Sequence, residues 1–145
     1  MEFSGLALWA DNASERPSWV RGTWRVDGGV IRRVSDGEEA PSVGVIVPGM
    51  VDTHCHIGYS ETGSVSEAQM VEQARVTLAS GVTVVRDCGV PVDNLVAASA
   101  TGLHLIRCGR HVARPKRYMR DLPLDVGDQR ELPAVLASMA HSSDG

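Results

Sequence analysis

The sequence predicts an α/β protein in two parts: a small N-terminal β-sheet region over residues 1–47, then alternating strands and helices over residues 48–145. Three observations carry this prediction. Up to residue 47, apolar and polar residues alternate in short runs and no helical periodicity occurs. From residue 51 onward, strand-like and helix-like runs take turns along the chain. The composition, 43% hydrophobic and 22% charged, is that of a globular chain rather than a disordered or membrane one.

In chain order, "SWVRGTWRV" (residues 18–26) alternates, Asp27, Gly28 and Gly29 signal a turn, and residues 30–34 return as the partner strand. A polar loop over residues 35–42 precedes another apolar run, and Trp9, Trp19 and Trp24 are assigned to packing. Residues 51–57 form a strand candidate. In the next segment Ser66 and Gln69 are spaced as a capping box, and Met70, Val71, Ala74 and Leu78 share one helical face. Gly81 fits the left-handed position past the helix end. Residues 82–89 read as a β-branched strand, 94–100 as a short helix, and 102–113 as a third strand with its exit loop. In the last segment, 131–141, Leu132, Val135, Leu136 and Met139 recur at helical spacing. Pro133 must then lie in the first turn, which makes Asp128 too early to be the cap. Strands alternating with helices build a parallel sheet. Three such units fit, whereas an eight-unit barrel takes roughly 200 residues or more, so the chain reads as the front portion of something longer.

Composition also excludes partners. A net charge of −4 gives no basic footprint, so no nucleic acid is expected. Lys116 is the only lysine among 14 basic side chains, which limits where a functional lysine can sit. The N-terminus has neither a basic leader nor a long apolar run, so a cytoplasmic protein without a membrane partner is expected. Cys55, Cys88 and Cys108 form no Cys-x-x-Cys pair and are expected to be reduced, buried thiols acting as small hydrophobes.

One stretch does not fit a plain apolar strand. "VIVPGMVDTHCHIGY" sets Asp52, His54 and His56 at alternate positions. Strand alternation puts these three on one face and Val51, Thr53, Cys55 and Ile57 on the other, under the helices. Same-face neighbours stand roughly 6.5–7 Å apart at the backbone. Imidazole arms can converge across that span on one ion, because zinc–nitrogen bonds are about 2.0–2.1 Å. His54 and His56 are therefore candidate metal ligands. The competing reading is a polar face turned to water; against it, buried imidazoles and a carboxylate would be poorly satisfied without a bound group.

These residues resemble the metal-dependent amidohydrolase superfamily, in which a Pro-Gly turn leads into a first barrel strand carrying Asp-x-His-x-His. "GVTVVRDCG" (residues 81–89) is similar to that superfamily's second strand, and the leading β region to its N-terminal sheet. Imidazolonepropionase- and prolidase-like members are nearest in character. The resemblance covers roughly residues 20–113. It implies the first three βα units of an incomplete (β/α)8 TIM-type barrel, with His54 and His56 as first-strand ligands of a divalent metal, zinc by expectation, one or two ions in the complete site. It further implies hydrolysis of non-peptide carbon–nitrogen bonds in a small-molecule amide-like substrate, with metal-activated water as nucleophile. The later ligands are missing: Lys116, His104, His111 and His141 do not match their positions, and the 145-residue chain alone is expected to be inactive.

No catalytic residue is assigned. Asp52 either orients a ligand or satisfies backbone donors, and Arg86 and Asp87 read first as a structural salt bridge at a strand end. The stretch from Arg110 to Arg120 reads as a solvated basic loop, with contact to an acidic substrate group as the alternative. Two other functions stay open. A phosphoesterase of the polymerase-and-histidinol-phosphatase type also opens with Asp-x-His-x-His but lacks a leading β domain. A non-catalytic truncated module is the other. An open sheet exposes an edge, so homo-oligomerisation is left open.

Overall fold

A computed structural model of the chain describes residues 1–36 and 42–144. It divides into two compact units, Met1–Pro48 and Gly49–Gly145, each taken by itself below. The polar loop expected at 35–42 falls mostly outside the described residues.

The first unit is a four-stranded sheet in the order β3-β2-β1-β4: β1 Glu2–Trp9, β2 Ser18–Asp27, β3 Val30–Asp36 and β4 Ser42–Ile46. The Asp-Gly-Gly signal is the β2–β3 hairpin, with Gly28 and Gly29 at positive φ, where a Cβ is costly. β1 pairs antiparallel with β2 and parallel with β4. Trp24 is 1% exposed and packs between Phe3, stacked at 6.5 Å, and Trp9 at 6.0 Å. Trp19 departs from the packing assignment: it is 55% exposed, because it sits at the start of β2, away from that aromatic row.

The second unit has a parallel three-stranded sheet in the order β5-β8-β9. β5 (Met50–Cys55) is followed by a short antiparallel ladder, β6 (Tyr59–Ser60) with β7 (Gly63–Ser64), and by helix α1 (Glu67–Ala79). β8 (Val82–Asp87), α2 (Leu95–Thr101) and β9 (His104–Arg107) follow. The capping box is present in full: Gln69 N–H donates to Ser66 Oγ, and Ser66 N–H to Gln69 Oε1. Gly81 takes φ +92° just past the cap. Ile57, Met70, Ala74, Val85, Ala97 and Leu103 form the core between sheet and helices. Burial of one such Val, Leu, Ile or Met side chain contributes about 1.5–3 kcal/mol.

Beyond β9 the two-residue strands β10 (Val112–Ala113) and β11 (Leu124–Asp125) pair in parallel, and α3 (Leu132–Met139) carries Pro133 in its first turn. Asp128 indeed does not cap α3. It caps a 3-10 turn over Gln129–Glu131 that leads into the helix, accepting from Arg130 N–H at 2.9 Å. No helix among the described residues is long and apolar enough to cross a membrane.

Asp144 returns to β9. Its carboxylate accepts Arg107 Nε at 3.0 Å and Nη2 at 3.1 Å. These bonds hold the Asp144 carboxyl below its ordinary value of 3.8. The stabilisation is therefore complete above that ordinary value and fades as pH falls through the lowered one. Urea midpoints of Asp144→Asn should lie below those of the parent at neutral pH, the gap closing in strong acid; a constant gap would contradict this.

Candidate metal centre

The candidate ligands stand where β5 ends. The register between β5 and β8 slips between Asp52 and Cys55, and β5 stops at Cys55, so His56 lies in the turn that follows. This corrects the expectation of one polar face running unbroken from Asp52 to His56. Asp52 Oδ1 accepts the backbone N–H of His54 at 2.9 Å, the backbone-donor role of the two that the sequence offered for it. The expected apolar face is also cut short. Val51 is 59% exposed and Thr53 is exposed on this outer strand, and only Cys55 and Ile57 reach the core.

Even so, the two imidazoles come together, with ring centroids 5.5 Å apart and planes at 80°. Two rings bound to one tetrahedral ion, each centroid about 3.2 Å from it, would stand about 5 Å apart. The spacing fits a shared cation. The tautomer fits as well: His56 Nδ1 lies 3.0 Å from the Gly89 carbonyl oxygen, which can only accept, so Nδ1 carries the proton. That leaves the Nε2 lone pair for a metal, the arrangement by which outer groups orient ligating histidines. His111 is the next ring, 6.4 Å from His56, but it is stacked on Tyr118 at 4.4 Å. Among the described residues no group of three His, Cys, Asp or Glu side chains is placed to hold a metal ion. The residues present supply a pair of ligands.

The pair is braced by a network that sequence reading misassigned. Asp87, expected as a salt-bridge partner, is 1% exposed and accepts Ile57 N–H at 2.7 Å and Gly89 N–H at 2.8 Å. Burial pushes its pKa above the usual 3.8, against the backbone donors at Gly89 and Ile57. Asn94, equally buried, donates to the Ile57 carbonyl at 3.0 Å. Gln73 of α1 braces the same turn, accepting Gly58 N–H at 2.8 Å and donating to the Tyr59 carbonyl at 3.0 Å. One carboxylate therefore ties the residue after His56 to the glycine that orients His56. The only sequence signal for it was position: an Asp that ends a strand beside a Gly.

Arg86 is exposed and donates to Cys88 Sγ at 3.4 Å. All three cysteines are free, as expected, but each is only partly buried, and of the three it is Cys55 that packs against the core. Each sits at or just past the end of a strand. Burial pushes the Cys55 thiol up to about 12, with Asp87 and Asp52 adding to it. In the stretch from Arg110 to Arg120, residues 114–120 are exposed, as a solvated loop requires. The loop is nonetheless tied down, since Tyr59 Oη donates to the Arg120 carbonyl at 2.5 Å.

Gly89 has φ +105°, and a Cβ there would strike the backbone of His111, Gly109 and Arg110. Gly89→Ala should lose about 2 kcal/mol or more in urea unfolding, from left-handed strain plus overpacking. It should also release His56 from its carbonyl, seen as a changed tautomer signal for that ring. An unchanged midpoint would show that the backbone here gives way freely.

No family model matches the chain. Over 124 residues it is 37% identical to uncharacterised proteins of Mycobacterium bovis and Mycobacterium tuberculosis, covering 84% of this chain. The chain spans about a third (34%) of the length of these curated relatives. Solved structures agree in fold. A prolidase complexed with N-methylphosphonate-L-proline superposes with TM-score 0.60 at 17% identity, covering 97% of this chain and 44% of its own. An amidohydrolase gives 0.58 at 21% identity, covering 99% and 45%. The chain shares the fold of a part of these prolidase and amidohydrolase structures. Molinate hydrolase also superposes, with TM-score 0.53 at 17% identity over 97% of this chain and 37% of its own.

Proposed function

We propose that the chain is the front portion of a metal-dependent amidohydrolase-type enzyme, its β5-β8-β9 sheet being the first three βα units of a (β/α)8 barrel. The observation that carries this is the His54–His56 pair at the C-terminal end of a first parallel strand, with His56 Nδ1 fixed on Gly89. The C-terminal ends of barrel strands are where such enzymes place their chemistry. A divalent ion held there, zinc by preference for imidazole, supplies Lewis acidity toward a carbonyl and a bound water. His54 and His56 hold it and move no proton. Asp87, Asn94 and Gln73 keep the turn rigid so that the rings need no reordering when the ion arrives. The reaction class is hydrolysis of a carbon–nitrogen bond other than a peptide one in a small amide-like substrate, with the remaining ligands and the proton shuttle supplied by later strands.

Zinc titration followed by nitrogen-15 correlation spectra of the histidine rings tests this. Both His54, itself exposed, and the half-buried His56 should respond at Nε2, while His104 and His141, exposed but unpaired with another ring among the described residues, stay unmoved. Rings that ignore zinc would favour a non-catalytic module, and release of phosphate from simple esters would favour the phosphoesterase reading.

A further inference from the structure

The second and third parallel strands end in matching residues. Asp87 and Arg107 are register partners in β8 and β9, so Cys88 and Cys108 are the next pair along. Cys108 N–H donates to the Asp87 carbonyl at 3.0 Å, which holds that register past the strand ends. Neighbouring strands lie about 4.7–4.9 Å apart, inside the roughly 4.4–6.8 Å between Cα atoms that a disulfide spans. Cys55 is differently placed: its side chain packs against the core, and its Sγ points at the Arg86 carbonyl 3.7 Å away.

We propose that Cys88 and Cys108 form a cross-strand dithiol that closes to a disulfide by exchange with a small-molecule disulfide. The Arg86 guanidinium, 3.4 Å from Cys88 Sγ, supplies a positive charge beside the attacking sulfur. Cys88, losing its proton, attacks one sulfur of the small disulfide; that S–S bond breaks and one small thiolate leaves. Cys108, losing its proton in turn, attacks Cys88 Sγ, and the mixed disulfide breaks to release the second thiolate. The two protons end on the two released thiols. Two protein thiols are oxidised and one small disulfide is reduced. The new bond pins β8 to β9 one residue before Gly89, the glycine that orients His56.

The test uses oxidised glutathione as the small disulfide, alkylation of remaining thiols, and tryptic digestion without reductant. Cleavage after arginine places the three cysteines on three separate peptides, with Cys88 in residues 87–107 and Cys108 in residues 108–110. Those two peptides should appear linked, lighter than their sum by two hydrogens, in the parent and equally in Cys55→Ser. In Cys108→Ser, a glutathione adduct should persist on Cys88. Should a cysteine variant fail to fold, the parent alone decides: phenylarsine oxide, which captures paired thiols without oxidation, should protect Cys88 and Cys108 from alkylation and leave Cys55 reactive on unfolding. Separate glutathione adducts with no link, a link through Cys55, or arsenical protection of Cys55 would overturn the proposal.

Discussion

Replacing His56 with alanine should lower zinc affinity by more than about a hundredfold, the upper end of what even an outer-sphere change costs. His54→Ala should do the same. The expectation follows from the geometry: with only two rings in reach of one ion, each is half of the protein ligand set, and no third side chain among the described residues is placed to replace it. His111→Ala is the informative contrast. That ring lies 6.4 Å from His56 but is already engaged with Tyr118, so its loss should change affinity by less than about threefold. Competition against a chromophoric chelator reads all three on one scale. Equal losses in all three variants would mean that His111 joins the other two rings on the ion, and unchanged affinity in His54→Ala with a full loss in His111→Ala would place zinc between His56 and His111 and remove the first-strand pair altogether.

The second large effect concerns Asp87. Asp87→Ala leaves two buried N–H donors, Ile57 and Gly89, without an acceptor. Each orphaned donor costs roughly 1–3 kcal/mol, so a loss of about 2–6 kcal/mol in chemical unfolding is expected. Asp87→Asn keeps the shape and one acceptor oxygen but turns its NH2 toward the other donor, and should lose about half as much. The two variants separate packing from hydrogen bonding. If both lost only a few tenths of a kcal/mol, water would have to reach this site freely, and the rigidity claimed for the His56 turn would fall with that result.

Local signals made much of this fold legible. The Ser66–Gln69 box, Gly81 past the helix, the Asp27–Gly29 hairpin and the strand-helix rhythm are all set by neighbours within a few residues, and sequence shows such neighbours directly. The candidate ligands were legible for the same reason. What sequence hid depends on partners far along the chain. The slip between Asp52 and Cys55 exists only in the pairing with β8, so strict alternation mispredicted where Asp52 would point. Asp87 read as a strand-end salt-bridge residue because its partners, Ile57 and Gly89, are amide groups that carry no sequence signature. The ladders β6–β7 and β10–β11 are two residues per strand, too short for any period to show.

One shared acceptor has a consequence for motion. Because the amides of Ile57 and Gly89 close on the two oxygens of one carboxylate, 30 residues from one and two from the other, opening either loop takes a hydrogen bond from the same buried side chain. Hydrogen–deuterium exchange at these two positions should proceed in step, with one opening free energy for both, marking the exits of β5 and β8 as a single cooperative unit.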